Sequence, residues 1–135
     1  MKDRIFVTET DFERLRRLVD GRRGGNFSDF EYLDTLEQEL DRAEIIEPQA
    51  IPRDVVTMNS EVRLKDLDSG EEKVYRLVFP GPFRGGNSVS ILAPIGTAML
   101  GYRMGDVIEW PVPKGVRRLQ ILEVLYQPEA AGVRQ

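Results

Sequence analysis

Carboxylates are the side chains in this 135-residue chain whose numbers and clustering suit acid–base or metal chemistry. Two groups stand out. Asp66, Asp68, Glu71 and Glu72 crowd one short segment, and hard oxygen ligands held together can bind Mg²⁺ or Ca²⁺. Asp20 and Asp29 flank the stretch Gly21-Arg22-Arg23-Gly24-Gly25-Asn26, where a pair of acids could present a metal to another macromolecule. Each group also has a plainer explanation. The first straddles Asp68-Ser69-Gly70, residue types that favour a tight turn. In the second, Asp20 closes one helix and Asp29 complements the dipole at the start of the next. Arg22 and Arg23 lie between them and oppose a divalent cation. The reading kept in both cases is structural, with no metal ligand assigned.

Other chemistries are excluded by composition. The chain has no histidine and no cysteine, so a Ser-His-Asp or Cys-His arrangement cannot be built from it, nor a disulfide. Gly24-Gly25 and Gly85-Gly86 lack the spacing and the following Lys-Ser/Thr of a phosphate-binding loop. No catalytic residue and no cofactor is therefore expected, and the chain is read as a binding protein, not an enzyme. Residues 1–48 carry 8 basic and 13 acidic side chains, against 11 and 10 in residues 49–135. The acidic first part repels a phosphate backbone, so nucleic acid is not expected as a direct partner. The start, Met1 to Val7, is too short and too soon followed by Glu9 and Asp11 for a signal peptide. No apolar run approaches the roughly 18–20 residues that span a bilayer. The expectation is a cytoplasmic monomer with no membrane association.

The elements that would position these groups fall into two parts. Residues 3–8 read as a short extended lead-in. Thr10-Asp11-Phe12-Glu13 reads as a capping box, followed by Phe12, Leu15 and Val19 on one helical face, with an end near Asp20. Ser28-Asp29-Phe30-Glu31 reads as a second capping box, and Leu33, Leu36, Leu40 and Ala43 as a coiled-coil seam running toward Pro48. The glycine-rich connection predicts antiparallel packing, with arginines of the first helix facing acids of the second. Such helices span roughly 15 Å and about 28 Å, too little to stand alone.

From Asp54 the period becomes two. Val55–Met58, Glu61–Lys65, Val74–Phe79, Ser88–Leu92, Val107–Val112 and Val116–Leu125 read as strands. Asp68-Ser69-Gly70 and Pro113-Lys114-Gly115 make hairpin turns. Pro94 to Gly101 reads as one short helix packed on the sheet, with Pro in its first turn and Gly just past its end. Trp110, Tyr75, Phe79, Phe83, Tyr102 and Tyr126 are assigned to the core in preference to a peptide pocket. The predicted class is α+β: a short N-terminal antiparallel helical hairpin over residues 1–48 and a β-rich domain with one short helix over residues 49–135.

The run Ser90-Ile91-Leu92-Ala93-Pro94-Ile95-Gly96-Thr97-Ala98-Met99-Leu100-Gly101 is followed by Gly105-Asp106-Val107-Ile108. Together with Val62-Arg63-Leu64, Asp68-Ser69-Gly70-Glu71-Glu72 and Tyr75-Arg76-Leu77-Val78, it resembles the C-terminal domain of the Gre transcription factors over roughly residues 54–126. Glu39–Ala43, Asp54–Ser60 and Tyr126–Gly132 carry a closer resemblance within the same kindred over almost the whole chain. The resemblance implies an FKBP-like antiparallel sheet domain and binding to bacterial RNA polymerase at the rim of its secondary channel. In cleavage-stimulating members a long coiled coil enters that channel, and acids at its tip help hold the catalytic Mg²⁺. This sequence departs there: its hairpin is shorter and its tip reads Asp20-Gly21-Arg22-Arg23-Gly24-Gly25. The loop that touches polymerase in the family corresponds here to Leu92-Ala93-Pro94-Ile95, and Leu92 stands where some relatives carry an acid.

The expected function is a non-catalytic, polymerase-binding transcription regulator that competes with Gre-type factors without stimulating transcript cleavage. Its contacts are Leu92, Ala93, Pro94 and Ile95, with Asp20, Arg22, Arg23 and Asp29 at the hairpin tip. The alternatives are a peptidyl-prolyl isomerase, suggested by the implied fold, and a partner-sensing module unrelated to transcription.

Overall fold

The computed structural model describes residues 5–22, 30–80, 87–113 and 115–132. Arg23 and Asp29 of the expected hairpin tip, and Ser28 of the second capping box, lie outside the described residues.

The chain opens with strand β1 (Phe6–Thr8), which runs directly into helix α1 (Glu9–Arg22). The helix starts earlier than the sequence suggests. Thr8, not Thr10, is its cap: the Asp11 amide donates to the Thr8 hydroxyl at 3.1 Å. This satisfies one of the amides that a helix start leaves free. Helix α2 (Phe30–Arg42) follows, and the two helices pack together through buried Leu15, Val19, Leu33, Leu36 and Leu40. Arg16 of α1 reaches Asp41 at 3.5 Å and Glu37 at 3.8 Å, so complementary charge flanks the seam. Exposed pairs of this kind contribute less than about 1 kcal/mol, and the apolar seam does most of the holding.

The second helix does not run on to Pro48. It stops at Arg42, and Glu44–Ile46 forms strand β2, parallel to β1 with Val7 opposite Ile45. A distant partner wins over local helical spacing, because β1 offers open ladder groups beside the end of α2. A single 3₁₀ turn over Pro48–Ala50 then leads into the second part.

Five strands form the main sheet: β3 (Glu61–Asp66), β4 (Glu72–Val78), β5 (Ser88–Ser90), β6 (Val107–Val112) and β7 (Gly115–Tyr126). Their order is β5-β4-β3-β7-β6. Three pairings are antiparallel, but β5 lies parallel to β4, with Leu77 opposite Val89. The expected wholly antiparallel sheet is corrected at this edge. The short β5 therefore runs in the same direction as β4, with Arg76 opposite Ser88 and Val78 opposite Ser90. Register shifts between β3 and β7, at Glu61/Val62 and Arg63/Leu64, accentuate the local twist and curl the sheet.

Val55–Met58 is not a strand, despite its β-branched residues. Val55 makes one isolated bridge to Arg103, and the segment is a buried loop. Its backbone groups are satisfied across elements: Val56 donates to Tyr102 at 2.8 Å and accepts from Gly101 at 3.0 Å.

Helix α3 (Pro94–Met99) covers the inner sheet face, where Val62, Leu64, Leu77, Ile108, Leu119 and Ile121 are buried. Helix α2 packs against α3, and one continuous core joins the hairpin leucines to the sheet through Ile5, Val7, Val56 and Met58. Gly101, at φ +80°, lies at that junction, where a Cβ would collide with the Ile5 side chain. Tyr75, Phe79 and Tyr102 pack against the core as expected. Tyr126 instead lies under the Arg76 guanidinium, 5.6 Å from its ring centre. The Trp110 side chain and Phe83 lie outside the described residues.

Candidate functional site

The segment Leu92–Ile95 bridges edge strand β5 and helix α3. Leu92 and Ile95 are half-buried against the core, and Ala93 is partly exposed. Ala93 is the residue before the helix, in extended conformation at φ −74° and ψ 147°, and Pro94 opens the helix at its first position. Proline fits there because its missing N–H is one of the helix's unpaired donors.

Three residues that the sequence analysis did not single out hold this loop. Ser90 is used twice: its hydroxyl accepts the Leu92 amide at 3.1 Å, and its carbonyl accepts the Ala93 amide at 3.0 Å. Thr97 donates its hydroxyl to the Ile91 carbonyl at 2.5 Å, while its amide donates to the Ala93 carbonyl at 3.0 Å. Gly96 lets α3 lie directly on β5, since a Cβ would overlap the Ser90 carbonyl and sit 3.2 Å from the Ile91 Cα. A small residue one helical turn before Leu100 is the sequence signal for such a close approach. The result is a short apolar ledge fixed from both sides.

The hairpin tip is placed only at its first edge. Asp20 is exposed in the last turn of α1, and the backbone of Arg22 ends that helix. The structure therefore does not bring the four tip residues together among those it describes.

The other acidic group is absorbed by turn geometry, as the sequence suggested. Asp66 accepts from the amides of Asp68 at 2.9 Å and Ser69 at 3.1 Å, and its other oxygen accepts from Arg117 at 3.0 Å. The Ser69 and Asp68 amides, with the Arg117 hydrogen bond, hold its carboxyl below the usual range. Among the described residues no group of three or more Asp or Glu converges as a metal site. A small cavity of about 60 Å³ lies beside this turn, lined by Leu64, Tyr75 and Leu119 and by the Arg117–Asp66 and Lys73–Glu71 pairs. Its charges already neutralise one another. Among the described residues no helix is long and apolar enough to cross a membrane.

Comparison with known proteins places this arrangement. The family model for the C-terminal part of the transcription elongation factors GreA and GreB matches residues 51–126, and the model for the Rnk N-terminus matches residues 3–46. The chain belongs to the GreA/GreB family. Within it, the chain is 42% identical to the regulator of nucleoside diphosphate kinase of Escherichia coli K12 over 130 residues, covering 95% of this chain and 93% of that protein. It is 36% identical to the transcription elongation factor GreA of Clostridium botulinum over 94 residues, covering 66% of this chain and 56% of the relative. A solved GreA/GreB elongation factor from Nitrosomonas europaea is 45% identical, with a TM-score of 0.75, covering 93% of this chain and all of that one. That match supports a mixed α+β fold with a helical N-terminus and a curled sheet. The ledge formed by Leu92 to Ile95 lies inside the GreA/GreB match, whereas α1 and α2 lie inside the Rnk match.

Proposed function

We propose that this chain is a non-catalytic regulator of bacterial RNA polymerase, acting in the cytoplasm as a monomer. Residues 49–135, an FKBP-like domain, dock at the rim of the secondary channel through Leu92, Ala93, Pro94 and Ile95. Residues 1–48, a short antiparallel hairpin, occupy the channel mouth. The observation that carries this reading is the rigid ledge itself. Its Leu92 and Ala93 amides and its Ala93 carbonyl are held by Ser90 and Thr97, so an apolar surface is offered to a partner at little cost in conformational entropy on binding.

The lack of cleavage activity follows from the tip. Helix α1 has 14 residues, about 21 Å of rise. The tip sequence places Arg22 and Arg23 between Asp20 and Asp29, and guanidinium groups oppose rather than support a divalent cation. No part of the reading requires direct contact with nucleic acid. Nor does it require phosphoryl transfer by this chain, which has no histidine to carry a phosphoryl group.

The test is binding of the purified chain to purified core polymerase, with a cleavage-competent Gre factor as competitor and a transcript-cleavage assay run in parallel. The expected result is saturable binding that the competitor displaces, with inhibition of cleavage stimulated by that competitor and no stimulation by this chain. Failure to bind at micromolar concentration would overturn the proposal. Binding without competition would remove the secondary channel from it.

A further inference from the structure

Two carboxylates from opposite ends of the chain converge on adjacent residues of the 52–60 loop. Asp11, in the first turn of α1, is fully buried and accepts the Met58 amide through Oδ2 at 3.0 Å. Glu129, beyond β7, accepts the Thr57 hydroxyl through Oε1 at 2.7 Å. The Ser60 hydroxyl accepts the Thr57 amide at 2.9 Å and lies 2.9 Å from the Thr57 hydroxyl. Gln127 fastens the same tail to the same loop, donating to the carbonyls of Pro52 and Val55, each at 2.8 Å. The second oxygens of both acids, Asp11 Oδ1 and Glu129 Oε2, are buried without a hydrogen-bond partner.

An ionised Asp11 would carry its charge on a fully buried group with one oxygen unpaired and the Glu129 carboxylate near it, which is costly. A proton on Asp11 removes that charge and turns one of its oxygens into a donor. The groups facing Asp11 offset only part of this cost. Among the described residues they are Glu129 and Arg14, with the Thr8 hydroxyl beside them, and the Arg14 guanidinium is drawn over the Phe79 ring, 6.0 Å from its centre.

We propose that Asp11, with the Glu129 carboxylate near it, forms a proton-dependent clasp: Asp11 holds a proton while α1 and the C-terminal segment are seated on the 52–60 loop, and losing it loosens that junction. The consequence is a response to pH in the neutral range from a chain with no histidine and no cysteine. Apart from the α-amino group, no side chain in it ordinarily titrates there. The electrostatics agree in direction. Burial is the largest influence on Asp11; the Met58 amide opposes it, the Glu129 charge adds to it, and the Thr8 hydroxyl and Arg14 oppose it, leaving the group at about 7.

An acid raised in the folded state binds more protons folded than unfolded. Stability therefore falls as pH rises from about 4 to about 7 and levels off above, by linkage. Between pH 5.5 and pH 8 the folding constant is expected to drop about thirtyfold from this group alone.

The experiment is urea unfolding of the full chain at those two pH values, for the wild type, Asp11→Asn and Glu129→Gln, together with an NMR titration of the Asp11 carboxyl carbon in the wild type. The clasp requires the wild type to lose stability by that factor and Asp11→Asn, permanently neutral, to lose little. Glu129→Gln lowers the Asp11 midpoint by removing the neighbouring charge. The exchange of the Met58 amide, corrected for its intrinsic pH dependence, accelerates in the wild type over the same range. An Asp11 carboxyl titrating near 4 overturns the proposal even if the variants do not fold. So does an equal loss of stability in wild type and Asp11→Asn.

Discussion

Substituting one methyl group for a hydrogen at Gly96 tests the argument about the ledge directly. In an open helix a Gly-to-Ala change is worth about 1 kcal/mol in favour of alanine. At Gly96 the new Cβ would land on the Ser90 carbonyl, which is backbone and already accepts the Ala93 amide. Relief requires α3 to move off β5. That movement opens the Ser90–Ala93 hydrogen bond and the Thr97–Ile91 hydrogen bond, at 3.0 and 2.5 Å. Overpacking costs about 1–3 kcal/mol, and two weakened hydrogen bonds add about 1 kcal/mol each. Against a propensity gain of about 1 kcal/mol, the net expectation for Gly96→Ala is a loss of about 3 kcal/mol, or roughly 10 °C in Tm for a domain of this size. The control is Gly21→Ala in the last turn of α1, where an added Cβ meets nothing within 4 Å. It is expected to be neutral or stabilising by up to about 1 kcal/mol. Urea midpoints for the two variants, with amide chemical shifts for residues 90–98, separate the cases. If Gly96→Ala is as stable as the wild type with unmoved resonances at Ser90 and Thr97, the close approach is not what fixes the ledge. Retained stability with lost polymerase binding would instead place Gly96 on the contact surface itself.

Thr97→Val keeps shape but removes the hydroxyl donated to Ile91, so stability should fall by about 1–2 kcal/mol. Polymerase affinity should fall further than that loss alone explains, measured by titration well below the unfolding temperature. Leu36→Ala empties a fully buried position at the hairpin seam and should cost about 2–5 kcal/mol in urea unfolding. Thr8→Ala removes the cap of α1 and should cost about 1 kcal/mol, whereas Thr10→Ala should cost little, a contrast that decides which threonine starts the helix. Arg16→Ala breaks exposed contacts to Glu37 and Asp41 and should change stability by less than about 1 kcal/mol at ordinary salt.

The ledge was legible as a location but not as a construction. Pro94 and Gly101 bracket a short helix by their backbone preferences, so its position could be read directly. That Ser90 and Thr97 hold it could not, because their partners are carbonyls brought close by the meeting of β5 and α3. The acids divided in the same way. Asp66 was readable as a turn residue, since its two amide partners lie two and three positions away. Asp11 read as an ordinary acid of a helical first turn, although it is buried against Met58, 47 residues on.

What the sequence determined by itself was everything governed by near neighbours. The periods of the apolar residues set helices α1 and α2 and most strands, and Gly and Pro set the turns. The absence of histidine and cysteine removed whole classes of catalysis. Tertiary structure decided wherever two distant segments competed for the same groups. Glu44–Ile46 left its helix because β1 supplied a ladder. Val55–Met58 lost its strand because the segment opposite it, Gly101 to Arg103, offers a single bridge and not a ladder, and it became the buried loop to which Asp11 and Glu129 are hydrogen-bonded. Strand β5 lies parallel to β4, a direction that alternating residues do not encode. Local preferences are worth tenths of a kcal/mol to about one per residue, whereas leaving a buried backbone or carboxylate group unpaired costs more, so the long-range partner prevails at those positions.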